Sequence, residues 1–223
     1  MQSFDDIRRM AEERKGGADA LGAMLVDDTP KQDIGALTDD RILSEFSKRV
    51  FQAGFNWSVV ENKWPGFEVA FHQFDIGRNA MMFDEDLDAH LKNTAIVRHA
   101  KKILSVRDNA IFLSDLAKEH GSAAKFFGDW PSSDLVGLWD VMKKRGNRLG
   151  GTTGQYALRF MGKDCFILSR SVANALARAG VVDGPTTSKT AQRKIQDAFN
   201  TWADESGESY TRMSRILAMS IGD

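Results

Sequence analysis

The segment 138–161, LWDVMKKRGNRLGGTTGQYALRFM, combines basic side chains with a glycine-rich turn, and this combination suits the binding of a phosphate backbone. One helical pattern ends in KKR, the turn GNRLGG follows, and a second helical pattern opens after it. Backbone N–H groups at a helix start carry partial positive charge, and glycines let a phosphate approach them closely. The residues that this pattern nominates are Lys143, Lys144, Arg145, Arg148, Gly150, Gly151, Thr152 and Thr153. Two helices joined by a glycine turn are also a common structural element, so both interpretations stand at this point.

A second basic run, RHAKKILSVR at 98–107, contains Arg98, Lys101 and Lys102. These side chains could face the same polyanion, and a solvated basic helix face explains them equally well. The formal net charge is -1 and the pI is about 6.4, so the chain as a whole is not basic. A nucleic-acid contact would therefore depend on local segregation of charge, with acids gathered at 26–40 and 84–88.

The stretch RVFQAGFNW, residues 49–57, places an arginine, an amide, a glycine and a tryptophan close together at the end of a helical pattern. Such a group can line a pocket, because Trp57 offers a stacking surface and Gln52 offers a donor and an acceptor. It can equally be core packing. The residues alone do not separate these interpretations.

The composition is that of an ordinary globular chain of 223 residues, with 42% hydrophobic and 27% charged residues. No run of about 18 apolar residues occurs, so we expect no membrane span. The N-terminus lacks the apolar segment of a secretory signal. The single cysteine, Cys165, excludes an internal disulfide framework and any site that needs two thiolates, and it suits a reducing cytoplasm.

Helical spacing of apolar residues dominates the chain, and we expect an all-α fold of many short helices. A helix is predicted after Thr38, over ILSEFSKRVFQAG. Further helices are predicted at 3–14, 58–63, 66–73, 84–92, 95–106, 109–118, 122–127, 132–145, 153–161, 169–179, 187–204 and 208–220. Each of the four prolines falls at a predicted helix boundary. Residues 1–37 are predicted to form an N-terminal helix and arm, the arm at about 26–37, and residues 38–223 the main domain.

Four blocks, taken together, resemble motifs of the DNA-3-methyladenine glycosylase I family, a branch of the helix-hairpin-helix DNA glycosylases. They are QAGFNW (52–57), FHQFD (71–75), AIVRHAKKI (95–103) and KKRGNRLGGTT (143–153), in the family's order and with similar spacings. The resemblance runs from about Thr38 to Gly162. It implies a multi-helix, helix-hairpin-helix DNA glycosylase-like domain with its hairpin at about 138–161 and divergent helices at 165–223.

The resemblance implies base-excision repair of double-stranded DNA. A damaged nucleotide is flipped out, an alkylated purine of the 3-methyladenine type is read in an aromatic pocket, and water cleaves the N-glycosidic bond. A methylated adenine is cationic and leaves readily, so no catalytic residue is assigned, and FILSRSV (166–172) holds no acid. No lysine stands out at the hairpin, so we expect no strand-cleaving lyase activity. The base-pocket residues implied are Arg49, Gln52, Phe55, Asn56 and Trp57, and the DNA-binding residues include Arg98, Lys101 and the hairpin residues named above.

Two departures from the family concern its zinc site and its stacking lid. The family draws zinc ligands from cysteines and histidines at both chain ends, whereas here neither type precedes His72 or follows Cys165. We therefore expect no metal, and also no cofactor. The family's N-terminal segment brings tyrosine and tryptophan to the pocket, and the first 50 residues here contain neither. Any lid must then be absent or built from phenylalanine.

The third departure is Arg49, which stands where the family has a base-reading glutamate, three residues before the glutamine of QAG. A carboxylate attracts a cationic purine and an arginine repels it, by several kcal/mol at about 4 Å and an effective dielectric of about 20. Glu45 lies one turn earlier and could neutralise Arg49 as an i,i+4 pair. FHQFD has a plainer interpretation, with Phe71 and Phe74 as core residues at helical spacing and Asp75 as a cap.

The leading hypothesis is a monofunctional DNA glycosylase, monomeric and active on DNA in the cytoplasm, where it would associate with the nucleoid. The alternative is a non-catalytic nucleic-acid-binding module that keeps the hairpin and has a repurposed pocket. A third hypothesis is a pocket that binds a neutral or anionic small molecule through Arg49.

Overall fold

The computed structural model describes residues 1–26 and 33–222, which contain thirteen α-helices and no strand. The helices are α1 (Phe4–Lys15), α2 (Ala18–Leu25), α3 (Asp39–Gln52), α4 (Trp57–Ala70), α5 (Ile76–Ala80), α6 (Asp84–Lys92), α7 (Ala100–His120), α8 (Ala123–Asp129), α9 (Leu135–Arg145), α10 (Thr152–Phe160), α11 (Arg170–Arg178), α12 (Lys189–Ser206) and α13 (Tyr210–Met219). Short 3-10 turns lie at Ile34–Ala36, His72–Phe74 and Ser132–Asp134. The all-α prediction is confirmed. Half of the predicted arm, residues 27–32, lies outside the described residues.

Two predicted helix breaks are absent. Helix α4 runs through Pro65. The ring of Trp64 stacks on the rings of Phe67 and Phe74, with centroids 4.9 and 5.4 Å apart, and this packing keeps the two halves of the helix aligned. Helix α7 continues across 107–108, since its buried face is unbroken from Ile103 to Leu116. The expectation that every proline marks a boundary was therefore wrong at Pro65, and α2 was not predicted at all.

The turn FHQFD is built differently from the prediction. Phe71 and Phe74 are fully buried, as predicted, and Asp75 caps α5 by accepting from the Arg78 backbone N–H at 2.8 Å. The helical spacing was wrong, however, because His72, Gln73 and Phe74 have φ values of 53°, 56° and 58°. This left-handed turn lets both phenylalanines enter the core within four residues.

The N-terminal segment packs on the C-terminal helices. Phe4 meets the Trp202 ring at 6.2 Å between centroids, and the Trp202 indole N–H donates to the Gln2 carbonyl at 3.2 Å. Arg8 pairs with Glu208 at 2.9 Å. Helices α1, α12 and α13 therefore brace one another at the side of the molecule built from the chain's two ends.

The helices that position the candidate site are α3, α4, α7 and α10. Helix α3 buries one whole face, including Phe46, Val50 and Phe51, and packs between α7 and α10. Its last turn delivers residues 49–52 beside the start of α10, and the loop 53–56 then leads into α4. This arrangement sets the QAGFNW block against the second helix of the hairpin.

Candidate functional site

A cavity of about 250 Å³ lies between the end of α3, the start of α4 and the start of α10. It is lined by Arg49, Gln52, Ala53, Gly54, Phe55, Trp57, Thr152, Thr153 and Tyr156. Four of the five residues predicted for the base pocket thus share one cavity. Asn56 does not line it, because its side chain caps α4 by accepting from the Ser58 backbone N–H at 3.0 Å.

The cavity also joins the predicted pocket to the predicted hairpin. Thr152 and Thr153, nominated for phosphate contact, line the cavity together with Trp57. A separate and larger cavity, of about 620 Å³, shares no lining residue with this one and is lined in part by Asp39, Asp40 and Asp75. Its acidic wall is unsuited to a polyanion.

Arg49 points into the cavity wall and is almost completely buried, with a side chain 5% exposed. Its Nε donates to Glu45, and its Nη1 donates to Gln52 Oε1 at 2.7 Å. The guanidinium carbon lies 3.8 Å from the centroid of the Phe160 ring and 5.4 Å from that of Trp57. The ion pair with Glu45 was foreseen, whereas the two ring contacts were not.

Gln52 is held in one orientation by its partners. An arginine only donates and a carboxylate only accepts, so Oε1 must face Arg49 and Nε2 must face Glu61, at 2.8 Å. Glu61 also pairs with Lys48 at 2.8 Å. Burial works to raise the pKa of Glu61, but the hydrogen bond and charge of Lys48 outweigh it and lower that pKa, so Glu61 stays ionised.

Two aromatic residues of α10 contact Trp57 and were missed from the sequence, and one of them, Tyr156, lines the cavity. Tyr156 meets Trp57 edge-on at 5.6 Å, and Phe160 does so at 6.3 Å. Trp57 itself remains 42% exposed. The sequence pattern could have indicated both residues, because positions 156 and 160 are one helical turn apart on the same face of the second hairpin helix.

Lys102, predicted with Arg98 and Lys101 to face DNA, is instead buried. Its Nζ donates to the carbonyls of Phe51 at 3.1 Å and Ala53 at 2.6 Å, and it lies 4.4 Å from the centroid of the Phe55 ring. It thus closes the C-terminal end of α3 and supports the loop under the pocket. Burial, and then the nearby charge of Arg148, lower the pKa of Lys102 to about 8.

This pKa predicts a stability that rises with pH. A lysine that titrates at about 8 when folded and near 10.5 when unfolded binds fewer protons in the folded state over that window. The wild-type free energy of unfolding, relative to that of Lys102→Met, should therefore increase by up to about 3 kcal/mol between pH 8 and pH 10.5. Urea unfolding of both proteins at pH 7, 9 and 10.5 measures it. A constant difference would show that Lys102 is not desolvated.

The hairpin consists of α9, the turn Gly146–Gly151 and α10, and α7 fixes the turn. The Asn109 side chain exchanges two hydrogen bonds with the backbone of Asn147, at 2.8 and 3.1 Å. A Cβ on Gly154 would lie 2.2 Å from the Leu149 carbonyl oxygen, so only glycine permits this approach of turn and helix. Gly151 has a φ of 61° and presents open space on its side-chain side.

The predicted DNA-binding residues fall into two groups. Those that are exposed are Arg98, Lys101, Lys143, Lys144, Arg148, Gly150, Gly151 and Thr152, with Thr153 half-buried. Arg145 is also exposed, but its guanidinium is already engaged by both carboxylate oxygens of Glu119, at 2.7 and 2.8 Å. It would have to leave that pair to meet a phosphate.

The other candidates for chemistry are a metal site, the thiol of Cys165 and the hydroxyl of Ser169. The described residues contain no group of three or more histidine, cysteine, aspartate or glutamate side chains placed to hold a metal, so they do not fit the family's zinc site. Cys165 is fully buried, which raises the pKa of its thiol to about 11. Ser169 caps α11 by accepting from the Val172 backbone N–H at 3.3 Å.

Within the described ranges, no helix has the length and apolar character needed to cross a membrane.

The helical arrangement defines the class of the fold. A crystal structure of a Methanocaldococcus jannaschii 8-oxoguanine glycosylase/lyase bound to a 15mer DNA superposes with a TM-score of 0.56. The superposition covers 95% of this chain and 94% of that one at 14% sequence identity. The chain therefore has the all-α fold of the helix-hairpin-helix DNA glycosylases, and the fold extends over both terminal segments.

The sequence comparisons indicate a related family. Residues 35–136 match the family described as methyladenine glycosylase. The DNA-3-methyladenine glycosylase of Haemophilus influenzae is 39% identical over 59 residues, and DNA-3-methyladenine glycosylase 1 of Escherichia coli is 37% identical over 59 residues. Each alignment covers 26% of this chain and 32% of the relative, so the match spans about a third of the length of these relatives. The chain is therefore similar to methyladenine glycosylases over residues 35–136, in agreement with the resemblance of its motifs.

Proposed function

We propose that the chain is a monofunctional DNA glycosylase that hydrolyses the N-glycosidic bond of a damaged purine flipped out of double-stranded DNA. The supporting observation is the shared cavity, which is lined both by Trp57 and by the first residues of the second hairpin helix. A hairpin that binds the phosphate backbone would place an extruded nucleotide at the mouth of this pocket.

The residues suggest how the pocket would act. Trp57 and Tyr156 offer faces for stacking a base, and the locked amide of Gln52 fixes the hydrogen-bonding pattern of the wall. Water would be the nucleophile, and no protein group is assigned as its base. The relatives are named for 3-methyladenine, so an alkylated purine of this type is the first substrate to test. We further propose that the protein acts as a monomer on DNA in the cytoplasm.

Base release from duplex oligonucleotides tests this proposal. We expect free base to appear from DNA that carries damaged purines, and we expect the strand to stay intact until the abasic site is cleaved by alkali. Release no faster than in a protein-free control, across methylated and deaminated purines, would contradict glycosylase activity. Strand cleavage without alkali would contradict the monofunctional assignment.

A non-catalytic nucleic-acid-binding module remains the second candidate, and Arg49 is the observation that favours it. The buried guanidinium stands in the position of the expected carboxylate, with Gln52 and Glu45 as its partners. In that case duplex binding would persist without release of any base. The same assay, combined with fluorescence anisotropy on the same duplexes, separates the two candidates.

A further inference from the structure

The Arg49 guanidinium lies over two aromatic rings at the wall of the cavity. Aromatic rings attract a cation that lies over their faces within about 6 Å of the centroid. Arg49 is within this distance of both Phe160 and Trp57, at 3.8 and 5.4 Å. The chain's own side chain therefore already occupies the attractive site that these two rings provide.

The surrounding hydrogen bonds hold the guanidinium in this place. Glu45 accepts from its Nε and Gln52 accepts from its Nη1, and the side chain is 5% exposed. Gln52 is held in turn by Glu61. For Arg49 to leave, both partners would lose a charge-assisted hydrogen bond, so the guanidinium is a fixed part of the wall.

Arg49 and Gln52 contribute donors rather than free acceptors to this wall, and the hydroxyl groups around them can donate or accept. An arginine has no acceptor, and the carbonyl oxygen of Gln52 is already engaged by Arg49. A second cation, Lys102, lies 4.4 Å from the centroid of the Phe55 ring, below the loop that lines the same cavity. A cationic base would meet the like charge of Arg49, which the ion pair with Glu45 reduces, whereas a neutral base with a carbonyl oxygen could accept hydrogen bonds from the wall.

We propose that Arg49 determines specificity by excluding cationic methylated purines and selecting neutral purines that carry a carbonyl acceptor. This inference rests on the proposed function, since it takes the cavity as the site that receives the base. It narrows the substrate class to neutral damaged purines, such as deaminated or oxidised ones.

Two nucleosides of nearly the same shape test the inference. 1-Methyladenosine is a cation at neutral pH, and 1-methylinosine is its neutral counterpart with a carbonyl oxygen. Each is titrated into the protein while the indole N–H resonance of Trp57 is followed by NMR. We expect the wild-type protein to bind 1-methylinosine at least tenfold more tightly, and Arg49→Gln to reduce that preference at least tenfold.

Three further variants serve as controls for this test. Arg49→Lys retains the positive charge and should still disfavour the cation, even if Arg49→Gln folds poorly. Glu45→Gln removes the partner's charge and should strengthen the preference for the neutral nucleoside. Arg107→Gln removes an arginine whose partner is Asp108 and which does not line the cavity, and it should bind like the wild type.

Equal binding of the two nucleosides by the wild-type protein would overturn the inference, and so would an unchanged preference in Arg49→Gln. Binding of neither nucleoside by any of the proteins would overturn it too, because the cavity would then not receive purines. The base-release assay judges the proposed function separately. Preferential nucleoside binding without release would contradict only that function, and rapid release of cationic methylated purines by the wild type would contradict only the role of Arg49.

Discussion

Replacing Trp57 by alanine is expected to slow base release by about 10- to 100-fold while leaving the affinity for undamaged duplex DNA nearly unchanged. Trp57 is 42% exposed at the cavity and is flanked by Tyr156 and Phe160, so its ring is available for stacking. Stacking of a base on an aromatic side chain contributes about 1–3 kcal/mol, as measured by alanine substitution. Single-turnover release from whichever damaged duplex the wild type processes fastest measures the effect.

Phe83 offers a matched control for Trp57. It is another exposed aromatic residue, at 69% exposure, and it lies outside the cavity lining. Phe83→Ala should release base at the wild-type rate. If both variants lose activity equally, the loss reflects general destabilisation. If Trp57→Ala keeps the wild-type rate, Trp57 does not hold the base.

Replacing Gly151 by valine is expected to weaken duplex binding about tenfold, and equally for every DNA sequence. Gly151 has φ 61° and ψ -147°, a conformation that is accessible essentially only to glycine, and forcing another residue into it costs about 1–3 kcal/mol. A side chain there would also project into the open space that a phosphate would fill. Because phosphate contacts carry no sequence information, damaged and undamaged duplexes should be affected alike.

Anisotropy titrations at fixed salt measure the effect of Gly151→Val, and Gly207→Val provides the control. Gly207 also has a positive φ, 69°, with open space around it, but it ends α12 away from the hairpin. Its replacement should lower the melting temperature without changing duplex affinity. Unchanged binding in Gly151→Val would remove the hairpin turn from the DNA interface.

The sequence predicted the helices well where one helix buries one continuous face. Helix α3 is an example, since its apolar spacing, its acidic first turn and Glu45–Arg49 are all local features. The prediction was wrong where tertiary contacts overrode local signals. Pro65 does not end α4, because Trp64 packs across it, and HQF turns left-handed to bury two phenylalanines.

The sequence predicted only those site residues that belong to one local motif. RVFQAGFNW brought four lining residues to attention, but Tyr156 and Phe160 lie a hundred residues later. Because α10 packs on α3, Tyr156 lines the pocket and Phe160 contacts Arg49. Lys102 looked like a surface base in sequence, because nothing near it reveals that α3 ends with open carbonyls at the same place. Helix pairing in three dimensions decides such roles, and a single sequence does not specify it.

The contact of Phe4 with Trp202 also sets an order of events during synthesis. These residues are almost 200 positions apart, and the Arg8–Glu208 pair spans 200. A contact between distant residues must overcome a large loop-closure entropy, and it cannot form before both partners exist. During synthesis Phe4 therefore cannot pack on Trp202 until α12 has left the ribosome, almost 200 residues after α1. The contact between α1 and the helices α12 and α13 thus forms late, even though α1 can already pack on α2.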